Sequence, residues 1–349
     1  MSAVKDIETE EQRKLQITGG STYIVSLPKD WVIKNQLKKG SPMVLREEDD
    51  GSLSVTPPKL EKKEKQDEAF VKVSSNDNPD AVMRTAISAY LAGYNVLHVR
   101  PQGQQTLSSR LRNHLKHFAR NYLVGTEIVT DTPADLTLQV LLNYPELTIN
   151  SALSRMSIIA SSMHKEAINC LKNLDYTGAK SVIETDREVN RFGLYIVRLL
   201  KLAVSNPREV KEIGLDSPKD CLGYRLIGKS VERTADHATK IAENVLLMKD
   251  PLSEDLLQRI SQMSSLAISM FESSMESLFK RDFNLAESVI EKISQIHKLE
   301  KEAVLASKTI SIEEIANLRL VIESVRRTAE YASDISEVVL NLNVESVLS

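Results

Sequence analysis

Residues 229–245 read KSVERTADHATKIAENV. Ile227, Val231, Ala235, Ala238, Ile241, Ala242 and Val245 recur at helical spacing, which predicts one amphipathic helix with an apolar stripe. Glu232 and Asp236 lie four apart and stack on another side of it. Carboxylates at that spacing repel. Lys229, three before Glu232, and Lys240, four after Asp236, can answer that repulsion with surface salt bridges. A bound cation answers it equally, and spacing alone leaves both readings open.

The stretch has a second copy. KSVERTADHATKIAENVLL from Lys229 parallels ESVRRTAEYASDISEVVLN from Glu323, and SVIETDREVNRFGLYIVRLL from Ser181 parallels SVIEKISQIHKLEKEAVLAS from Ser288. Three long helical stretches, about 148–174, 177–204 and 218–249, are followed by three more, about 252–281, 283–308 and 311–342. Asp175 and Asp282 match at the first turn of each middle helix, and Ser205-Asn206-Pro207 and Asp250-Pro251 punctuate the run. A duplicated three-helix unit predicts an all-α pair of bundles, over 148–250 and 251–345.

The pattern ERxxDHxxxIAEN over 232–244 resembles the helix-end signature of the PhoU family. The resemblance implies paired three-helix bundles that restrain phosphate uptake, several of which carry metal on this acidic face. In that family the middle helix of each repeat offers two acids, four apart, to the Glu and Asp of the last helix. The first repeat keeps Asp186, Glu232 and Asp236, with Asn190 where an acid is usual and Glu184 and Glu188 nearby. The second has Ile293, His297, Arg326 and Glu330 at the matching positions, and Arg326 would repel a cation. The resemblance therefore implies at most one metal site, at Asp186, Asn190, Glu232 and Asp236. Hard oxygen donors suit a divalent cation such as Mg²⁺ or Mn²⁺, or iron. His237 points about a quarter turn away, as a packing residue or a support behind the ligands. His297 reads as a surface residue.

The 349 residues allow two or three domains. Charged residues are 27% and aromatics 5%, a soluble balance of the kind helical bundles show. A net charge of −3 argues against nucleic-acid binding over the whole surface, while leaving room for one small module. Cys170 and Cys221 have no ligand spacing and read as reduced thiols of a cytoplasmic protein. No apolar run reaches membrane-spanning length. No Ser/His/Asp or Cys/His constellation marks an enzyme.

Residues 10–58 form a β-rich module. Strands are predicted over Leu15–Thr18, Thr22–Ser26, Met43–Glu47 and Ser52–Thr56, with turns at Gly19-Gly20 and Asp49-Asp50-Gly51 and a short helix over Lys29–Asn35 behind Pro28. Such a module is too small to bury much alone. Arg13, Gly19-Gly20-Ser21, Leu27-Pro28-Lys29, Trp31, the run Leu37 to Gly40, and the Leu45 and Leu53 strands resemble the AbrB (SpoVT/AbrB) swapped-hairpin family. That resemblance implies a homodimer in which two copies interlace into one barrel and bind double-stranded DNA. Candidate phosphate contacts are Arg13, Lys14, Lys29, Lys34 and Arg46; ordinary solubilising charge is the plain alternative. Trp31 reads as a core or interface anchor.

A charged linker covers 59–68, and 69–147 reads as a small α+β domain. Its strands are predicted at Ala69–Ser74, Val96–Arg100, Thr126–Thr130 and Leu136–Leu142, its helices from Asn78-Pro79 to Gly93 and over Gln104–Asn121. The second helix carries Arg112, Lys116 and Arg120 at four-residue spacing, a basic face that is either solvated or offset by an anionic partner. The two resemblances together predict a cytoplasmic, dimeric regulator of phosphate uptake that binds DNA. The rival is an adaptor that docks a phosphate transporter or signalling kinase and uses residues 10–58 only to dimerise. A metal-dependent phosphohydrolase ranks third.

Overall fold

The computed structural model describes residues 11–47, 51–57, 68–74, 76–103, 105–141, 147–205, 207–307 and 312–348. Most of the linker, and Asp49 and Asp50 of the expected turn, lie outside them. The chain divides into two compact units, Met1–Gln66 and Asp67–Ser349.

In the first unit β1 (Gln16–Thr18) and β2 (Thr22–Ile24) form an antiparallel hairpin, with Gln16 opposite Ile24. Gly19 and Gly20 turn it at φ of 59° and 85°, left-handed values that cost glycine little. Helix α1 (Lys29–Lys34) starts behind Pro28, whose carbonyl accepts from Val32 N at 3.0 Å. A second hairpin joins β3 (Val44–Glu47) to β4 (Leu53–Thr56). The hairpins remain separate two-stranded sheets, so one chain closes no barrel among the described residues. Two ribbons this short cannot enclose a core. Leu15, Ile17, Tyr23, Leu45 and Leu53 are each 60–67% exposed.

The second unit opens with the α+β domain. Strands β5 (Glu68–Val73), β6 (Val96–Pro101), β7 (Thr126–Asp131) and β8 (Leu136–Val140) form one sheet in the order β5-β6-β8-β7. The β5–β6 pair is parallel and the other two pairs are antiparallel. Helix α2 (Pro79–Leu91) begins as predicted, with the Asn78 side chain accepting from Asp80 N at 2.9 Å. Helix α3 (Ser109–Tyr122) begins five residues later than the predicted Gln104. Ser108 caps it by accepting from Leu111 N, while buried Leu107 is held in the preceding loop by Pro133 O at 2.7 Å.

The helical half follows: α4 (Ile149–Asn173), α5 (Tyr176–Ser205), the short α6 (Pro207–Glu212) and α7 (Asp220–Val245). Then come α8 (Glu254–Lys280), α9 (Phe283–Ile290), α10 (Ile293–Ala306) and α11 (Ile312–Asn343). The duplication reaches the turns. Leu174 and Arg281 both end their helices in the left-handed conformation, at φ of 48° and 54°. Asp175 then accepts from Gly178 N and Asp282 from Leu285 N, each at 2.9 Å. The predicted single helix over 283–308 is divided. At Glu291-Lys292 the ladder tightens, with Lys292 N bonding Val289 O at 3.2 Å. Buried residues of both repeats make one continuous core, and the α+β domain has its own. Among the described residues no helix is long and apolar enough to cross a membrane.

The α+β domain joins the first repeat through a fully buried cation. Arg198 of α5 donates to the carbonyls of Tyr90, Gly93 and Tyr94 at the C-terminal turn of α2, and to Asn95 Oδ1. Its guanidinium lies 4.8 Å from the centre of the Tyr90 ring. Carbonyls at a helix C-terminus favour positive charge, so this cation needs no carboxylate. Gly93, at φ 96°, brings the turn so close that a Cβ would stand 2.5 Å from a Leu202 methyl. Arg198→Met should cost about 2–4 kcal/mol, because it strands buried acceptors. Urea unfolding reads that loss, and an unchanged midpoint would remove the guanidinium from the joint.

Candidate functional site

Helices α5 and α7 pack together in the first repeat and bring the four predicted side chains to their shared border. Asp186 and Asn190 stand one turn apart on α5, Glu232 and Asp236 one turn apart on α7, all half-buried. Asn190 Nδ2 donates to Asp186 Oδ2 at 2.6 Å. Asp186 Oδ1 is buried without a hydrogen-bond partner. Burial first, then the charges of Asp236, Glu232 and Glu243, push the Asp186 carboxyl up to about 6, against the pull of Asn190. Burial and the Glu232 charge also raise Asp236.

The two expected salt bridges have different outcomes. Lys229 Nζ meets Glu232 Oε1 at 2.6 Å. Among the described residues Asp236 has no ion-pair partner, and Lys240 acts on it only at a distance. Glu184 and Glu188 are exposed. Among the described residues no group of three or more His, Cys, Asp or Glu is gathered as a metal would require. Lys229 and Asn190 occupy donor atoms that a cation would need.

The second repeat closes the same place with ion pairs. Arg326 Nε meets Glu300 Oε1 at 3.0 Å, Arg326 also pairs with Glu330, and Arg327 meets Glu330 at 2.6 Å. Glu300 was not legible as a partner until the helices were placed, although the repeat alignment sets it opposite Gly193. A Cβ on Gly193 would stand 3.7 Å from Glu232 Oε2, an ordinary contact, so Gly193 faces that carboxylate. His297 is a surface residue, its side chain 54% exposed.

His237 faces away from the carboxylates. Its Nδ1 is 3.1 Å from Ser324 Oγ and its Nε2 3.4 Å from Tyr331 Oη, both on α11. It is a packing residue between the repeats. His164 is a second one, which sequence reading missed although it falls on the stripe of Met156, Ala160 and Ala167. His164 Nε2 lies 2.9 Å from Ser264 Oγ and Nδ1 3.3 Å from Thr328 Oγ1. Burial is the first cause that lowers both imidazoles to about 4; His237 adds to the shift of His164, and Lys240 and Arg327 to that of His237. An unfolded histidine binds a proton near 6.5 and these do not, so their contribution is present above that pH and is lost as pH falls towards 4. Asp186 works in the opposite sense over part of that window. The urea midpoint should fall on acidification from pH 7 to 5, and His164→Gln should flatten the slope. An unchanged slope in the variant would place the acid sensitivity elsewhere.

The basic face of α3 is largely satisfied from within. Arg112 and Lys116 both pair with Asp131 of β7, at 2.5 and 2.6 Å, so two of its charges need no outside anion. Those bonds, Lys116 first, hold the Asp131 carboxyl below its ordinary value.

In the first unit Arg13, Lys14, Lys29, Lys34 and Arg46 are all exposed. Lys29 opens α1, Lys34 closes it and Arg46 lies on β3. Arg13 pairs with Glu11. Trp31 is half-buried, its carbonyl accepting from Asn35 Nδ2 at 2.8 Å.

The PhoU domain model matches residues 153–245 and again 260–339, and that of MazE, the bacterial antitoxin of antidote-toxin recognition, matches 16–63. No curated protein matches the chain. Among solved structures, the phosphate transport system regulatory protein PhoU from Streptococcus pneumoniae is similar at 19% identity and a TM-score of 0.48, over 58% of this chain and 96% of that one. PhoU from Pseudomonas aeruginosa is similar at 19% and 0.48, over 57% and 96%. With its helical half built as two PhoU domains behind a MazE-like N-terminal domain, the chain belongs to the PhoU family.

Proposed function

We propose that the chain regulates phosphate uptake and phosphate homeostasis, and that it binds double-stranded DNA through its N-terminal unit as a homodimer. One observation carries the DNA half: this small unit exposes its apolar strand residues and its bases together. Exposed apolar ribbons need a partner, and a second copy is self-complementary. Pairing two copies doubles the set of Arg13, Lys14, Lys29, Lys34 and Arg46. Such charges give affinity through phosphates and release counterions on binding.

Gel shifts of the full chain on promoter fragments at 50–200 mM salt test this, the window being about that over which phosphate-driven affinity falls most steeply. Binding should weaken steeply with salt. Arg13→Ala with Lys14→Ala should lower the log–log salt slope by about 2, close to 0.9 for each phosphate no longer neutralised. A dimer that binds no promoter fragment would shift the reading to an adaptor that docks a phosphate transporter or signalling kinase.

A single hard cation in the first repeat is part of the proposal. Asp186, Glu232 and Asp236, with the Asn190 amide, are oxygen donors of the type Mg²⁺, Mn²⁺ or iron takes, and the unpartnered buried Asp186 Oδ1 supports the fit. Lys229 would have to leave Glu232. Titration with Mn²⁺ should raise the melting temperature of the chain, and Glu232→Ala with Asp236→Ala should abolish that rise. A rise that survives in the variant would remove these residues from the site.

A further inference from the structure

Helix α3 of the α+β domain and α5 of the first repeat border a cleft of about 540 Å³. It is an open groove, with Arg120, Glu184, Arg187 and Glu188 exposed to solvent. Three arginines line it: Arg120 from α3, and Arg187 and Arg191 one turn apart on α5. Among the described residues none of the three has an ion-pair partner. Arg191 Nε, moreover, is buried and lacks a hydrogen-bond partner. Arg112 and Lys116, which precede Arg120 on α3, are both committed to Asp131, so for Arg120 the contrast lies within one helix.

The other lining groups narrow the chemistry. Thr185 gives its proton to Ser181 O and Asn121 its amide to His117 O, which leaves the guanidiniums as the main donors. Glu184 and Glu188 also line the cleft without pairing to these arginines, and they reduce three positive charges to a net of one. A weakly charged ligand would gain little there. Three planar forks exceed what the two oxygens of a carboxylate can accept, whereas a phosphoryl group offers oxygens enough for several. Phe192 adds an apolar wall, and the volume leaves room beyond a bare phosphate.

We infer that this cleft binds a phosphoryl group, borne by a small molecule or free, through Arg120, Arg187 and Arg191. The site uses neither the N-terminal unit nor the carboxylates of the proposed cation site. It goes beyond the DNA-binding reading and stands or falls separately from it.

Calorimetric titration of the full chain with ATP and with inorganic phosphate, at low salt and with sulfate as control, tests the inference. Arg120→Ala and Arg191→Lys should each weaken phosphoryl binding about tenfold, the loss expected for a bidentate pairing. Arg120 is exposed, so its variant should keep the unfolding midpoint. Arg13→Ala with Lys14→Ala should leave this binding unchanged even if it abolishes the gel shift. ATP binding far tighter than phosphate supports the site with a phosphorylated small molecule as ligand. Equal binding of both, stronger than sulfate, supports it with the free anion as ligand. No binding of either, or binding that Arg120→Ala leaves untouched, would overturn the site.

Discussion

The two repeats meet along a seam of α4 and α7 against α8 and α11, and the seam is not purely apolar. His164 and His237 are buried there as neutral imidazoles, each held by hydroxyls of the other repeat. A buried polar group costs free energy unless it is paired, and these pair only when the repeats sit in one register. Tyr331 occupies the position in the second repeat that His237 occupies in the first, and the two side chains meet, with ring centres 5.7 Å apart. The seam thus joins equivalent faces of a duplicated unit. Once it is fixed, the remaining faces of α7 and α11 are directed to the middle helix of their own repeat, where the carboxylates lie.

There the duplication stops being symmetric. Glu232 faces Gly193, while Arg326 faces Glu300 at the matching place. The second repeat neutralises itself with Arg326, Arg327, Glu300 and Glu330. At the matching place in the first repeat, among the described residues, Lys229 bridges Glu232, while burial and neighbouring carboxylates raise Asp186 and Asp236. Burial first, and then the neighbouring carboxylates, hold the Asp186 carboxyl near 6. Ion pairs answer most of the charge in the second repeat, whereas in the first Asp186 and Asp236 are half-buried beside other carboxylates. That asymmetry is what sets the two copies of the duplicated unit apart.

Much of this was legible because helical periodicity and duplication are local signals. The stripe from Ile227 to Val245, the matched turns at Asp175 and Asp282 and the Asn78 cap are all where spacing puts them. The break at Glu291-Lys292 was not legible, because it involves neither proline nor glycine and depends on a shift of hydrogen bonds. The late start of α3 depends on Leu107 being held by Pro133, a bond across 26 residues. His164, Glu300 and Arg198 share a cause: each acts on a partner far away in sequence. In the N-terminal unit spacing gave both hairpins, but a closed barrel needs strands that one chain does not have. The candidate cation residues were found by resemblance, and the geometry adds which of their atoms are already engaged.

Helix α5 is where these features converge. Arg198 and Leu202 near its C-terminal end hold the turn after α2, and Leu194 packs against the core of the α+β domain. Arg187 and Arg191 face the cleft shared with α3, and Asp186 and Asn190 face α7. A single α-helix transmits position along its length because its hydrogen bonds resist bending. Charge acts over a shorter range, and Asp186 adjoins Arg187 in the chain. A cation on the proposed carboxylate site would favour an anion in the cleft by charge alone. If both sites fill, linkage requires that each occupancy affect the other to the same extent, through electrostatics that need no change in backbone.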